Sequence, residues 1–138
     1  MLTTIDQPVQ AHLLVPAYRL EPMSAILRYR SDDPLAVHLV FPSSEPARHA
    51  AESEWVFARE LLNSGLRAPS GAGDVHVWPC GPQEVMVELH AGPGLAMVLI
   101  PREGAEVFLR HAYHLVPVAE ESRHLNLEHG LAAILAEG

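Results

Sequence analysis

Nine histidines in 138 residues make metal coordination the first chemistry to test. The best-placed pair is His111 and His114, whose i, i+3 spacing puts both rings on one side of a helix. A zinc site needs further His, Cys or carboxylate ligands at a workable spacing. Neither His76 nor the single cysteine, Cys80, offers one. The two histidines also fall in the last turns of an expected helix, where basic side chains complement the helix dipole. Ser70-Gly71-Ala72-Gly73 looks like part of a phosphate loop, but G-x-x-x-x-G-K-S/T is missing and the chain has no lysine. That loop leads into a strand, not into the helix N-terminus whose amides would cradle a phosphate. Cys80 sits between Pro79 and Gly81 with no evident base, and no serine occupies a G-x-S-x-G elbow. The adjacent carboxylates Asp32/Asp33 and Glu120/Glu121 read as solvated loop residues, with nothing to bury one member of either pair. The reading is of a non-enzyme, with no catalytic residue, metal ligand or cofactor assigned.

Charge narrows the partners. Nine basic residues, all arginine, against seventeen acidic ones give a net charge of −8. Such a chain is repelled by a phosphate backbone at long range. The arginines are scattered, and only Arg28 and Arg30, two apart on one strand face, resemble a basic patch. A hydrophobic content of 49% with 19% charged residues suits a globular chain of one domain. The longest apolar run, Leu95 to Ile100, is strand-sized and far short of the roughly 18 residues of a membrane span. Met1-Leu2-Thr3-Thr4 shows neither a basic n-region nor an apolar h-region, and one cysteine cannot form an internal disulfide. A cytoplasmic chain is expected.

The elements that must position any functional side chain are mostly strands. Val9, Ala11, Leu13 and Val15 alternate with polar residues until Pro16. Ala25, Leu27 and Tyr29 alternate with Ser24, Arg28 and Arg30, and Ser31-Asp32-Asp33-Pro34 is a turn. Leu35, Val37, Leu39 and Phe41 predict a third strand, and Pro42 to Ser53 a surface loop. Trp55 and Phe57 mark a fourth strand, with Trp55 as a core anchor. Helix formers follow from Ala58, with Gly65 where a left-handed cap would go. Pro69, Gly71 and Gly73 punctuate a turn before a strand from Asp74 to Pro79, on which His76 and Trp78 share one face and Val75 and Val77 the other. Strands are expected again from Glu84 to His90 and from Leu95 to Ile100. The last has no polar face, so it is covered on both sides, by helices of its own domain or by a neighbouring subunit. Pro101 fits the first position of a helix with an apolar stripe of Ala105, Phe108, Leu109, Ala112 and Leu115. Pro117 ends it, and a second helix starts near Asn126. No internal repeat is visible. The fold class is α+β: one domain over residues 1–138, about seven strongly twisted antiparallel strands in an open barrel, a short inserted helix and two C-terminal helices.

Three blocks carry a family resemblance. W-V-F-A-R-E-L-L-N-S-G-L-R-A-P-S-G-A-G-D-V-H-V-W-P, from Trp55 to Pro79, resembles the signature of the SsgA-like proteins, which regulate sporulation and cell division in actinobacteria. L-R-Y-R-S-D-D-P-L-A-V-H-L-V-F, from Leu27 to Phe41, is similar to the family's other recurring block, and L-x-L-E-x-x-L-A-A-I-L-A-E near the C-terminus fits as well. The resemblance implies a non-catalytic adaptor in the cytoplasm at the division septum. Its implied partners are cell-division proteins, namely the tubulin-like FtsZ and sister SsgA-like proteins. It also implies a whirly-like fold and homo-oligomers, trimers among them. Such a fold raises single-stranded nucleic-acid binding as the alternative, which needs a basic groove and stacking aromatics. A charge of −8 and 6% aromatic residues oppose it. For an adaptor, the candidate partner contacts are Arg28, Arg30, His76 and Trp78, because an exposed tryptophan is a natural hot spot. The candidate oligomer contacts are Ala96, Val98 and Ile100 on the all-apolar strand.

Overall fold

The structure, a computed structural model, describes residues 2–42 and 53–122. The chain runs β1 (Thr4–Val15), β2 (Arg19–Arg30), β3 (Ala36–Phe41), β4 (Ser53–Ala58), α1 (Arg59–Gly65), β5 (Ser70–Ala72), β6 (Val75–Pro79), β7 (Glu84–Ala91), β8 (Gly94–Pro101) and α2 (Arg102–Leu115). A short helical stretch follows at 118–122. All eight strands form one antiparallel half-barrel sheet in the order β4-β3-β2-β1-β8-β7-β6-β5. Each half is a four-stranded meander followed by one helix, so the topology repeats although the sequence does not. The halves join where His12 and Leu13 of β1 meet Leu99 and Val98 of β8.

The core lies on the sheet's inner face, under the two helices, and its residues follow the expected alternation. Ala25, Leu27 and Tyr29 of β2, Val75 and Val77 of β6, and Val98 and Ile100 of β8 are all buried there. The stripe on α2 packs onto them through Ala105, Phe108, Leu109 and Ala112. Pro8 is tolerated inside β1 because it pairs with Ile26 of β2 at a level where β8 does not reach. Its missing N–H therefore costs no ladder bond, and β1 starts at Thr4, ahead of the expected Val9.

Four expectations change. The turn around Gly71 contains an eighth strand, β5, paired with β6 through Ser70↔Val77, Gly71↔His76 and Ala72↔Val75. Three residues are too few to show a period, and only Gly73 of that stretch has a positive φ, 64°. Gly65 is no left-handed cap: it is buried within α1, and the C-cap Leu66 is right-handed. Glycine is required there because a Cβ would collide with the Val77 side chain. Pro101 is the N-cap of α2 and the last residue of β8, one position earlier than expected. Leu35 is 41% exposed and lies in the turn before β3. The loop read from Pro42 to Ser53, apart from its two ends, and the helix starting near Asn126 lie outside the described residues.

Gly65→Ala should push α1 off β6 and cost about 1–3 kcal/mol, the usual range for overpacking. Urea denaturation should register that loss, while Ser64→Ala, at an exposed neighbouring position, should stay within about 0.5 kcal/mol of the parent.

Candidate interaction surface

The surface is mounted on a scaffold pinned by a charge that sequence reasoning passed over as a plain helix former. Arg59 opens α1 and is 1% exposed. Its backbone N–H donates to Leu35 O at 2.8 Å. Its side chain uses all five donors of the guanidinium fork. Nη1 donates to Tyr29 Oη and to Ala112 O, both at 3.1 Å. Nη2 donates to Val116 O and to Glu121 Oε1, both at 2.7 Å, and Nε reaches the same carboxylate oxygen at 3.1 Å. The guanidinium carbon stands 4.2 Å from the Tyr113 ring centroid and 5.2 Å from that of Tyr29. Tyr29 passes its own proton on to Pro34 O at 2.9 Å. Burial pushes the Tyr29 hydroxyl up to about 12, against a smaller opposing pull from the Arg59 charge. The Tyr113 hydroxyl moves up for the same reason. A signal was available: Arg59 stands at i to Leu62 at i+3 and Leu66 at i+7, both buried, so helical spacing puts the arginine on the inward stripe.

The outer face of the sheet carries the residues singled out for partners, in two separate places. Arg28 and Arg30 lie on β2, opposite the buried side chains of Leu27 and Tyr29. Neither is a bare cation. Arg28 grips Asp6 of β1 with two bonds of 2.7 and 3.1 Å, and Arg30 grips Asp32 with bonds of 3.1 and 3.0 Å. Hydrogen bonding to these arginines holds both carboxyls below the usual range. His38, cross-strand from Arg28, contacts Glu54 and lies 3.1 Å from Asp33 Oδ2. The expected basic patch is therefore charge-compensated.

His76 and Trp78 sit on β6, four strands from β2 and so roughly 19 Å across the sheet. Trp78 is half-buried at the end of a cross-strand row: it opposes Met86, Met86 opposes Leu99, and Leu99 opposes His12. Met86 and Leu99 are each only 6% exposed although they lie outside the core cluster. His76 pairs with Glu88 across the ladder and meets the His90 ring edge-on at 5.7 Å, and His90 Nε2 lies 2.7 Å from Glu88 Oε1. Gly71 leaves room for the His76 ring, which a Cβ would strike. Trp55 is half-buried and packs against the core from β4.

The oligomer contacts expected at Ala96, Val98 and Ile100 need correction. Val98 is 1% exposed and Ile100 fully buried within the chain's own core, and Ala96 packs against them. Because α2 and the inner sheet already cover that face, it offers nothing to a second subunit. The other side of β8 carries Leu95, Met97 and Leu99, of which Leu95 is 56% exposed and Met97 half-buried, while Leu99 is buried. Among the described residues no group of three or more His, Cys, Asp or Glu could hold a metal ion. His111 and His114 are both solvent-exposed on α2.

A half-barrel sheet, two covering helices and a compensated, partly apolar outer face define an α+β protein whose features for recognition are surface patches. Comparison with known proteins supplies the family. The profile described as Streptomyces sporulation and cell division protein, SsgA, matches residues 23–121, and the chain belongs to that family. It is 40% identical to the sporulation-specific cell division protein SsgB of Streptomyces coelicolor over 99% of both chains. It is 38% identical to SsgB of Kineococcus radiotolerans, covering 97% of this chain and 81% of that one. The fold superimposes on the crystal structure of an SsgA-like sporulation-specific cell division protein from Thermobifida fusca with a TM-score of 0.83, at 33% identity and 95% coverage of each chain. It also superimposes on an SsgB structure whose mutations correlate with longitudinal cell division during sporulation of Streptomyces coelicolor, with a TM-score of 0.79, 37% identity and 90% and 97% coverage.

Two outcomes test the scaffold. Arg59→Met takes the guanidinium away from the partly buried Glu121 carboxylate and from the Val116 carbonyl, so it should cost about 3 kcal/mol in urea denaturation, the low end for a broken buried pair, whereas exposed Arg19→Met should be nearly neutral. The raised Tyr29 hydroxyl favours the neutral form in the folded state. Its stabilising contribution is complete below pH 10 and is lost as pH rises toward 12. Tyr29→Phe should flatten the fall of stability with pH across that window, measured as urea midpoints at successive pH values.

Proposed function

We propose that this chain is a non-catalytic adaptor of sporulation-specific cell division, promoting septum-site selection or assembly by binding division proteins such as FtsZ. The observation that carries the reading is 40% identity to a sporulation-specific cell division protein along 99% of both chains. The whole chain, residues 1–138, acts as one SsgA-like domain in the cytoplasm at the septum. There it works as a homo-oligomer, a trimer built on a whirly-like fold, alongside sister SsgA-like proteins. His76 and Trp78 form the partner contact on one half of the sheet. Arg28 and Arg30, with the carboxylates they hold, form a second one on the other half. Trp78 supports this assignment because it is a half-buried aromatic that flanks the apolar pair Met86 and Leu99 on a partly apolar face, a setting in which aromatic anchors contribute to an interface.

Imaging a fluorescent copy in sporulating filaments beside labelled FtsZ tests the reading. The expected result is regular ladders of foci that precede or coincide with the division rings, and loss of that coincidence in Trp78→Ala. Diffuse or nucleoid-coincident signal from the parent protein would overturn the adaptor reading.

A further inference from the structure

On the helical side of the molecule, away from the outer sheet face, a groove of about 270 Å³ runs along the seam between α1 and α2. Leu66 and Leu109, buried to within 5% and 3% exposure, are its apolar residues. Tyr113 and Asn63 stand at one end, where a second groove of about 550 Å³ shares both residues. Arg67, Arg102 and Arg110 line the first groove. Three arginines in one depression are out of keeping with a chain whose net charge is −8.

Their pairing sets them apart further. Arg19, Arg28, Arg30, Arg59 and Arg102 each reach a carboxylate: Glu21, Asp6, Asp32, Glu121 and Glu106. Among the described residues Arg67 and Arg110 make no such pair, and both are exposed on this one groove. Among the described residues Glu106 is the only carboxylate lining it, and Arg102 holds it at 2.8 Å, which leaves the balance of these residues positive. A guanidinium fork suits bidentate carboxylate recognition, and the half-buried Tyr113 ring suits an apolar side chain beside it.

We propose that the α1–α2 groove docks an acidic peptide segment of a partner protein, with carboxylates on Arg67 and Arg110 and an apolar side chain against the Tyr113 ring. This rests on the adaptor reading and gives its partner a chemistry: an extended acidic stretch interrupted by aliphatic residues. The complementary charge also draws the segment in from a distance, so the contact weakens as salt rises.

The test is fluorescence anisotropy with the full chain and a short fluorescein-labelled peptide in which aspartates alternate with leucines. An amide counterpart, with asparagine for aspartate, serves as the control. Saturable binding of the acidic peptide alone is expected. It should fall about tenfold or more in Arg67→Glu/Arg110→Glu, fall with added salt, and stay unchanged in Arg19→Glu. Both groove arginines are exposed, so the double variant should keep the parent's circular dichroism and melting profile. No saturable binding, equal binding of the amide peptide, or equal loss in Arg19→Glu would overturn the groove. So would tighter binding of a single-stranded oligonucleotide abolished by the same double variant, which would make it a polyanion site. FtsZ capture by the parent chain, measured in parallel, separates the two claims. If capture persists undiminished in the double variant, the groove fails and the adaptor stands, whereas absence of capture by the parent strikes at the adaptor itself.

Discussion

Everything on the helical side of this molecule depends on satisfying one buried cation. A guanidinium taken out of water needs a counter-charge and an acceptor for every N–H, or it costs more than any apolar replacement. Arg59 receives both, and the geometry that supplies them joins the two halves of the chain. Tyr29 comes from β2, Ala112 and Val116 from the end of α2, and Glu121 from the helical stretch after it. The last carbonyls of a helix ordinarily go unsatisfied and carry its negative pole. Here α2 ends at Val116 in an extended conformation, with no glycine cap, and the arginine of a different helix does the capping. An apolar side chain could fill the same volume, but it would not specify which turn of α2 faces α1.

That linkage matters because the sheet leaves its halves loosely tied. The long central strands β1 and β8 are matched in register only at His12↔Leu99 and Leu13↔Val98. The helices bridge the seam from the inner side: α1 follows the first meander yet packs on β6, and α2 follows the second yet packs on β1. Gly65 lets α1 approach Val77, and Gly104 lets α2 approach Val9, whose nearest methyl would lie 2.8 Å from an added Cβ. The helices thus consume the inner apolar face, including Val98 and Ile100, and leave the outer face and the helix seam as the surfaces on which a partner can be met.

Much of this was legible in the residues. Alternation located six of the eight strands and the inward side of each, because a half-buried strand imposes period two on its sequence, and a seventh, Leu95 to Ile100, was legible as an apolar run without its inward side. The stripe on α2 was legible for the same reason at the helical period. What escaped were features decided by tertiary contact. β5 exists because β6 pairs with it, and a three-residue strand rich in glycine and alanine carries no pattern of its own. Gly65 looked like a cap because glycine is common there; its reason is the Val77 side chain, distant in sequence. Arg28 and Arg30 looked like a basic patch because their partners, Asp6 and Asp32, are set by strand pairing and by turn geometry. Ala96, Val98 and Ile100 were ambiguous in principle, since an all-apolar strand states that both faces are covered without stating by what.

The most direct measurement is native-state hydrogen exchange on the parent chain and on Arg59→Met. If the arginine locks the scaffold, the amides of α1 and of the last turns of α2 open together in the parent, with one free energy and one denaturant dependence. In the variant both should lose protection in step, while the central strands β1, β2 and β8 retain theirs relative to the new global stability. Undiminished protection at the end of α2 in Arg59→Met, or separate opening of the two helices in the parent, would contradict the account.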